Sequence, residues 1–146
     1  MQIKEILKTK GDHVYNVAPD ATVFDAVKLL SDLNIGALLV MRDKKMMGII
    51  TERDYRDKII LKGRASKQTR VDEIMSREVF CVKPAETVDS CMKIMTEKKI
   101  RHIPVMNEDD TVGGMVSIGD LVKAVIKKQE VEISTLKSYI YGDQPV

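Results

Sequence analysis

The chain has 146 residues, of which 44% are hydrophobic and 32% are charged, and its formal net charge is +2. These values are typical of one compact globular unit, and so small a net charge gives no indication of a nucleic-acid partner. No apolar run approaches the length needed to span a membrane, and the N-terminus lacks the apolar stretch of a secretory signal. The two cysteines have no metal-type spacing and fit a reducing compartment, so we expect a cytoplasmic protein.

The first half of the chain predicts helices and strands in alternation. The predicted elements are a short helix over 3–7, a strand over 14–17, a helix over 23–33, strands over 37–41 and 46–50, and a helix over about 52–61. Thr22 can cap the second of these helices, and Asn34 and Gly36 can end it. The polar residues 42–45 suit a hairpin turn between the two long strands.

A polar segment separates this half from the next. Residues 63–70 are basic and without periodicity, so we interpret them as a linker that is more mobile than its surroundings. The basic run from Arg53 to Arg70 is interpreted as a solvated surface. Beyond the second half, residues 122–140 predict a charged helix that ends near Gly142.

The pattern of the first half then restarts. Residues 71–75 repeat residues 3–7 at an offset of 68, and Pro84, Thr87 and Val88 repeat Pro19, Thr22 and Val23 at an offset of 65. The offset changes only in predicted loops, as it should in a true structural repeat. Each repeat is therefore a strand–helix–strand–strand–helix unit with a short leading helix. One such unit would bury too little surface alone, so we expect two copies to share a core and leave two related clefts.

One motif occurs in both repeats at the junction of a strand and a helix. A glycine precedes an apolar run, the run ends in Thr51 or Ser117, and Asp54 or Asp120 follows three positions later. This places a carboxylate beside exposed backbone N–H groups, where a polar ligand can bind. Alternatively, the hydroxyls are helix caps and the aspartates are first-turn acids without a ligand.

The segments that carry these motifs resemble the tandem CBS (cystathionine β-synthase) domain pair, also called a Bateman module. They are Ala18-Pro19 with Thr22-Val23, Asn34 to Ala37, Gly48 to Asp54, Lys83-Pro84 with Thr87-Val88, Ile100 to Val105, and Gly114 to Asp120. The resemblance covers about residues 3–128 and includes no catalytic domain.

The resemblance implies an α+β fold in which two βαββα repeats pack with pseudo-two-fold symmetry. The implied domains are repeat 1 over 1–62 with its leading helix, a linker over 63–70, repeat 2 over 71–128 and a helical tail over 129–146. It also implies a regulatory sensor that binds AMP, ADP, ATP or NAD in the clefts, with no required cofactor, and that associates into dimers.

The family's ligand site is carried over by position. Asp54 and Asp120 would accept the ribose hydroxyls, because a carboxylate can accept two hydrogen bonds. Thr51 and Ser117 would lie near the phosphate or ribose, Arg53, Arg101 and His102 are candidate cations, and backbone groups around Val17 and Val82 would contact adenine. Pro104 belongs to repeat 2, and its counterpart in repeat 1 is Leu39. We group Arg101, His102 and Pro104 with Asp120, which belongs to the same repeat. We therefore expect Asp120 to matter more than Asp54 for binding.

Three alternatives stay open. An enzyme is disfavoured, because the sequence has no nucleophile–base pair, metal cluster or glycine-rich phosphate loop. An RNA- or DNA-binding accessory protein is disfavoured because Tyr55 is the only aromatic residue in the basic run. A structural dimerisation module with empty clefts is the third. We expect a homodimer, because Ile133, Leu136 and Ile140 exceed what one small module can cover.

Overall fold

Each half of the chain builds a small β-sheet covered by helices, and a computed structural model describes residues 1–142. The first half contains α1 (Ile3–Lys10), β1 (Asn16–Val17), α2 (Val23–Leu33), β2 (Ala37–Arg42), β3 (Lys45–Thr51) and α3 (Glu52–Tyr55), which continues as a π-helical turn (Arg56–Ile60). Two short 3-10 helices follow (Ser66–Gln68 and Val71–Glu73). The second half contains α4 (Val88–Lys98), β4 (His102–Met106), β5 (Val112–Ser117) and α5 (Ile118–Tyr141).

The two halves share the same strand arrangement, as the repeat predicts. In the first sheet β1 is parallel to β2, and β2 is antiparallel to β3; in the second sheet β4 is antiparallel to β5. Both hairpins shift register at equivalent positions, after Val40 and after Val105. The structure is therefore the α+β fold of two repeats that the sequence predicts.

The core has three layers because alternate strand residues point to opposite faces. Leu38, Val40 and Ile50 pack beneath the helices of the first half, and the corresponding strand residues of the second half do the same. The other face of the first sheet carries Ala37, Leu39 and Ile49, which pack with Val112 and Met115 of the second sheet. The two sheets thus meet through their helix-free faces.

The leading segment of each half packs into the core of the other half. Ile3 and Ile6 of α1 are buried with Val82, Val88 and Leu121 of the second half. Val71, Ile74 and Met75 are buried reciprocally among residues of the first half, including Val23, Leu38 and Ile59.

Backbone hydrogen bonds between the leading segments and the opposite halves occur in equivalent pairs. The Ile3 N–H donates to the Glu86 carbonyl at 2.8 Å, and the Val71 N–H donates to the Ala21 carbonyl at 2.8 Å. A second pair joins Lys4 to Pro84 and Asp72 to Pro19, each at 2.9 Å. Since each bond has its counterpart in the other half, the pseudo-two-fold symmetry extends to the connections between the halves.

The linker is more structured than its aperiodic sequence predicts. Residues 66–68 form a 3-10 helix, and Thr69 is 3% exposed, with its hydroxyl donating to the Ala65 carbonyl at 2.8 Å. The Thr69 carbonyl accepts the N–H of Val23 at the start of α2. The second part of the linker is therefore fixed against the first half, directly before the leading segment of the second half begins at Val71.

The first strand of the second half is shorter than predicted, and Pro104 explains why. In the first half the Leu39 N–H donates to the Tyr15 carbonyl at 3.2 Å. Pro104 occupies the position of Leu39 and has no N–H, so the matching bond to Phe80 cannot form. What is left of this strand is a single parallel bridge between Val82 and Val105.

The C-terminal helix is long and continuous. α5 runs for 24 residues without a break, so the predicted tail helix is the extension of the last helix of repeat 2. The predicted stop at Gly142 is at the end of the described part, and residues 143–146 lie outside it. None of the helices within residues 1–142 is long and apolar enough to cross a membrane.

The exchange predicts that α1 stabilises the half to which it does not belong in sequence. Ile3 is fully buried, so Ile3→Ala should lower the free energy of unfolding by about 2–5 kcal/mol. We expect denaturant unfolding, followed by circular dichroism, to keep one transition at a lower midpoint. Ile60→Ala, at a side chain that is 57% exposed, is the control and should change stability by about 0.5 kcal/mol or less. Two separate transitions in the Ile3→Ala variant would contradict the interlocked core.

Candidate functional site

The two repeated motifs are both helix-capping boxes. The Thr51 hydroxyl accepts the Asp54 N–H at 3.2 Å, and the Asp54 carboxylate accepts the Thr51 N–H at 3.0 Å. Ser117 and Asp120 make the same pair of bonds, at 3.2 and 2.8 Å. Thr51 and Ser117 are therefore both helix caps. A carboxylate fixed in this way still has lone pairs for other donors.

The two aspartates differ in the lysine that neutralises them. Asp54 is 7% exposed, and its Oδ1 lies 2.9 Å from the Nζ of Lys58, one turn further along the same helix. Asp120 pairs at 2.6 Å with Lys10, at the end of α1, which also donates to the Met115 carbonyl. Burial alone would raise the pKa of Asp120, but Lys10 and the Ser117 N–H outweigh it and hold that pKa below its usual value.

A cleft of about 910 Å³ lies between the two halves beside the first motif. Its walls come from the start of β2, the start of α3, the segment 76–80 and the junction of α4 with β4. The lining residues are Gly36, Ile49, Thr51, Glu52, Arg53, Asp54, Arg56, Ser76, Glu78, Val79, Phe80, Lys98, Ile100, Arg101 and His102. Thr51, Arg53 and Asp54 of the first half thus lie together with Arg101 and His102 of the second.

The cleft is lined by charges of both signs, with four Lys and Arg side chains and three acids, Glu52, Asp54 and Glu78. Arg53 crosses between the halves and donates to the Lys99 carbonyl at 2.8 Å, and the Lys98 ammonium lies 5.0 Å from the centre of the Phe80 ring. Arg101 is exposed and makes no ion pair within residues 1–142. An uncompensated guanidinium at a cleft wall is suited to a phosphate, which it can bind with two parallel hydrogen bonds.

The structure corrects the grouping of Arg101 with Asp120, whereas His102 lies near both motifs, since it also pairs with Ser117 in the β4–β5 hairpin. Arg101 and His102 line the cleft of Asp54, because the sheets meet face to face and the start of β4 lies against the start of β2. A Cβ atom on Gly36 would lie 3.0 Å from the His102 ring, which shows how closely these strand starts approach. The cleft therefore combines the motif of the first half with a strand end of the second. The reason given for ranking Asp120 above Asp54 no longer holds.

The remaining predicted residues lie behind the cleft rather than on its wall. Pro104 is buried in β4, and its carbonyl accepts the Val82 N–H at 3.1 Å. The Val82 carbonyl accepts the Met106 N–H at 2.8 Å, so both backbone groups of Val82 are used within the sheet. Val17 is held in β1 opposite Val40.

The segment 76–80 is a wall of the cleft that the sequence interpretation missed. Ser76 is joined to Ile49 by two backbone hydrogen bonds of 3.0 and 2.9 Å, and Gly48 makes this approach possible because a Cβ atom there would lie 2.6 Å from the Ser76 carbonyl. Phe80 is 38% exposed, and its counterpart Tyr15 is 42% exposed. This pair of aromatic residues at an offset of 65 was the signal that could have identified the segment.

Comparisons with known proteins agree with this arrangement. The CBS domain family model matches residues 3–61 and 71–127. The mitochondrial CBS domain-containing protein CBSX3 of Arabidopsis thaliana is 42% identical over 96% of this chain and 72% of its own length.

Two solved structures with CBS domains are also similar. A signal-transduction protein from Burkholderia ambifaria is 45% identical, with a TM-score of 0.84 over 88% of this chain and 96% of that one. The CBS domain pair of protein MJ0100 was solved in complex with 5′-methylthioadenosine and S-adenosyl-L-methionine. It is 25% identical, with a TM-score of 0.76 over 88% of this chain and 98% of that one.

His102 provides a test of the electrostatics of the cleft. Burial, reinforced by the charges of Lys10 and Arg101, lowers the pKa of His102 below its usual value, against the opposing effect of Asp120. The folded state therefore binds fewer protons than the unfolded state between the lowered pKa and about 6.5, and stability must rise with pH across that window.

We expect NMR titration of the imidazole to show a midpoint below about 6.5. The His102→Gln variant should lose the rise in the free energy of unfolding over the same pH window. The His13→Gln variant assigns the resonance, since the chain has two histidines. A midpoint at or above the usual value would show that the imidazole is solvated or paired with an acid.

Proposed function

This chain belongs to the CBS domain family, and we propose that it is a non-catalytic regulatory module that binds an adenine nucleotide of the AMP, ADP, ATP or NAD type. The ligand occupies the cleft beside Thr51 and Asp54. The observation that carries the proposal is that this cleft joins the fixed Asp54 carboxylate of one half to Arg101 of the other, whose guanidinium has no ion pair among residues 1–142. Its volume of about 910 Å³ falls in the range of small-molecule sites.

Each part of a nucleotide has a suitable partner in the cleft. Asp54 accepts the ribose hydroxyls, either with its remaining lone pairs or by replacing Lys58. Phe80 offers an exposed ring on which a base can stack. Arg53 and Arg101 bind the phosphate groups, and Lys98 adds a third positive charge.

The ligands of the MJ0100 domain pair support an adenosine-containing molecule. The charges of the present cleft distinguish among such molecules. A phosphorylated nucleotide places anionic groups beside Arg53 and Arg101, whereas 5′-methylthioadenosine and S-adenosylmethionine carry no phosphate. We therefore expect AMP, ADP, ATP or NAD to bind more tightly than 5′-methylthioadenosine or S-adenosylmethionine.

Nucleic-acid binding fits the structure less well. Arg64 pairs with Glu73 at 2.8 Å and Arg70 pairs with Asp72 at 2.7 Å, so the basic linker has part of its charge neutralised. A thermal-shift screen separates the alternatives: nucleotides raise the melting temperature of a nucleotide sensor, RNA raises that of an RNA-binding protein, and neither affects a purely structural module with empty clefts.

The assembly and location of the protein are further parts of the proposal. We infer a homodimer, because α5 carries large apolar side chains that its own module leaves exposed, among them Ile133, Leu136 and Ile140. A cytoplasmic location stays a prediction from the sequence, while the name of the Arabidopsis relative places that protein in the mitochondrion.

Asp54 should matter more for nucleotide affinity than Asp120. Asp54→Asn keeps the size and the capping oxygen but removes the charge that binds the ribose, and should weaken binding by about 1.5–3 kcal/mol, or roughly ten- to a hundredfold. Asp120→Asn is the matched control, since it makes the same change in the equivalent motif. Calorimetric titration with AMP, ADP, ATP and NAD measures both.

Arg101→Gln should reduce the affinity for phosphorylated ligands and leave that for 5′-methylthioadenosine nearly unchanged. Arg42→Gln removes an exposed arginine that does not line the cleft and should have no effect.

For the aspartate prediction, an unchanged affinity in Asp54→Asn together with a lowered melting temperature would show that the motif is only a helix cap and would contradict the site assignment.

A further inference from the structure

The last sixteen residues of α5 extend beyond the module to which the helix belongs. Leu121 is buried, and Ala124 and Val125 pack against the core of the second half. From Ile126 to Tyr141 every residue is exposed. Within residues 1–142, therefore, no segment of this chain covers that part of the helix.

The exposed part carries a regular seam. Six positions follow one another at alternating spacings of four and three, and they are Val122, Ile126, Gln129, Ile133, Leu136 and Ile140. This spacing places all six on one stripe of the helix and is the heptad repeat of a coiled coil. The five apolar members are 39–63% exposed, whereas a surface helix without a partner has no need of such a stripe.

The residue types on the seam indicate the number of strands. Ile126, Ile133 and Ile140 occupy one set of heptad positions, and Val122, Gln129 and Leu136 occupy the other. Isoleucine at all three positions of the first set, with Leu136 in the second, is the part of the seam that matches the pattern favouring two strands in parallel coiled coils. Gln129, the one polar residue of the seam, costs stability and disfavours registers in which its amide would face an apolar side chain.

The flanking charges are complementary between copies only in the parallel arrangement. Glu132 directly precedes the seam residue Ile133, and Lys137 directly follows the seam residue Leu136. In a parallel dimer, Glu132 of one copy and Lys137 of the other lie opposite each other across the interface. In a fully overlapping antiparallel pair, Glu132 would face Glu132, Glu130 would face Glu130, and Lys123 would face Lys137. The charge pattern therefore selects a second copy in parallel orientation.

We propose that residues 122–140 of α5 pair with the same residues of a second copy as a parallel, two-stranded coiled coil. The paired segment of 19 residues is about 28 Å long and holds the two CBS modules side by side at its N-terminal end. Glu132 of each copy pairs with Lys137 of the other. The inference rests on the homodimer proposed above and is independent of the cleft and its ligand.

The first test compares masses by light scattering across a dilution series. The full chain should be a dimer at micromolar concentration, and Ile133→Asp should halve the mass without lowering the secondary structure of the module. Val131→Asp places the same charge off the seam of the same helix, where the side chain is 59% exposed, and should leave the dimer intact. A dimer that survives Ile133→Asp overturns the coiled coil but keeps the homodimer, whereas a monomeric parent chain overturns both.

The second test determines the orientation. Glu132→Lys and Lys137→Glu should each weaken the dimer, and the double variant should restore it, because the swapped charges attract again. Mild oxidation of a Gln129→Cys, Cys81→Ser variant should give a cross-linked dimer, since position 129 meets itself only in the parallel register. An absence of both rescue and cross-link overturns the parallel arrangement. Nucleotide titration of Ile133→Asp reports separately on the cleft, so the two proposals fail independently.

Discussion

The exchange of leading segments is the constraint on which the rest of this molecule depends. The core of each half is closed by residues that precede the other half in sequence, with Ile3 buried in one core and Val71 in the other. The same exchange brings the polypeptide from Val71 across the first half, where Ser76 joins the edge of β3 beside Ile49. One wall of the cleft is therefore positioned by the connection that holds the two halves together.

The composite nature of the cleft gives a physical route to regulation. Asp54 and Thr51 are fixed by the capping box of α3, while Arg101 and His102 belong to β4 of the other half. A ligand that contacts both sets favours the relative position of the halves in which all contacts are made. The Arg53 bond to the Lys99 carbonyl already links the two halves at this point, so an anion that draws Arg53 away changes a contact between the repeats.

The sequence was sufficient for the elements and their local ends. Thr22 was predicted to cap α2, and Thr87 is its equivalent before α4; both caps form. Helix α2 ends in a left-handed residue, Asn34, as predicted, and α4 ends in the same way at Lys99. These features depend on a few neighbouring residues, which is why spacing alone predicted them.

The composition of the cleft could not be predicted in the same way. Repeat spacing establishes which residues are equivalent, but it does not establish which half faces which motif, and so Arg101 was grouped with the wrong aspartate. Thr69 is buried for a similar reason, since its environment is supplied by the start of α2, far away in sequence. Pro104 was noticed in the sequence, but the shortening of the first strand could not be predicted from it. A missing N–H affects a sheet only where a neighbouring strand presents a carbonyl to it.

The interlocked core also constrains the order in which the chain can acquire its structure during synthesis. Ile3 is made well before its partners Val116 and Leu121, which lie near the end of the second repeat. At elongation rates of about 5–20 residues per second, the apolar face of α1 is exposed for several seconds before the residues that bury it have been made. The first repeat is completed earlier, as soon as Met75 has been made. Helix α1 is thus made long before the surface that covers it, and a nascent chain exposes its apolar residues throughout that interval to any factor that binds exposed apolar helices.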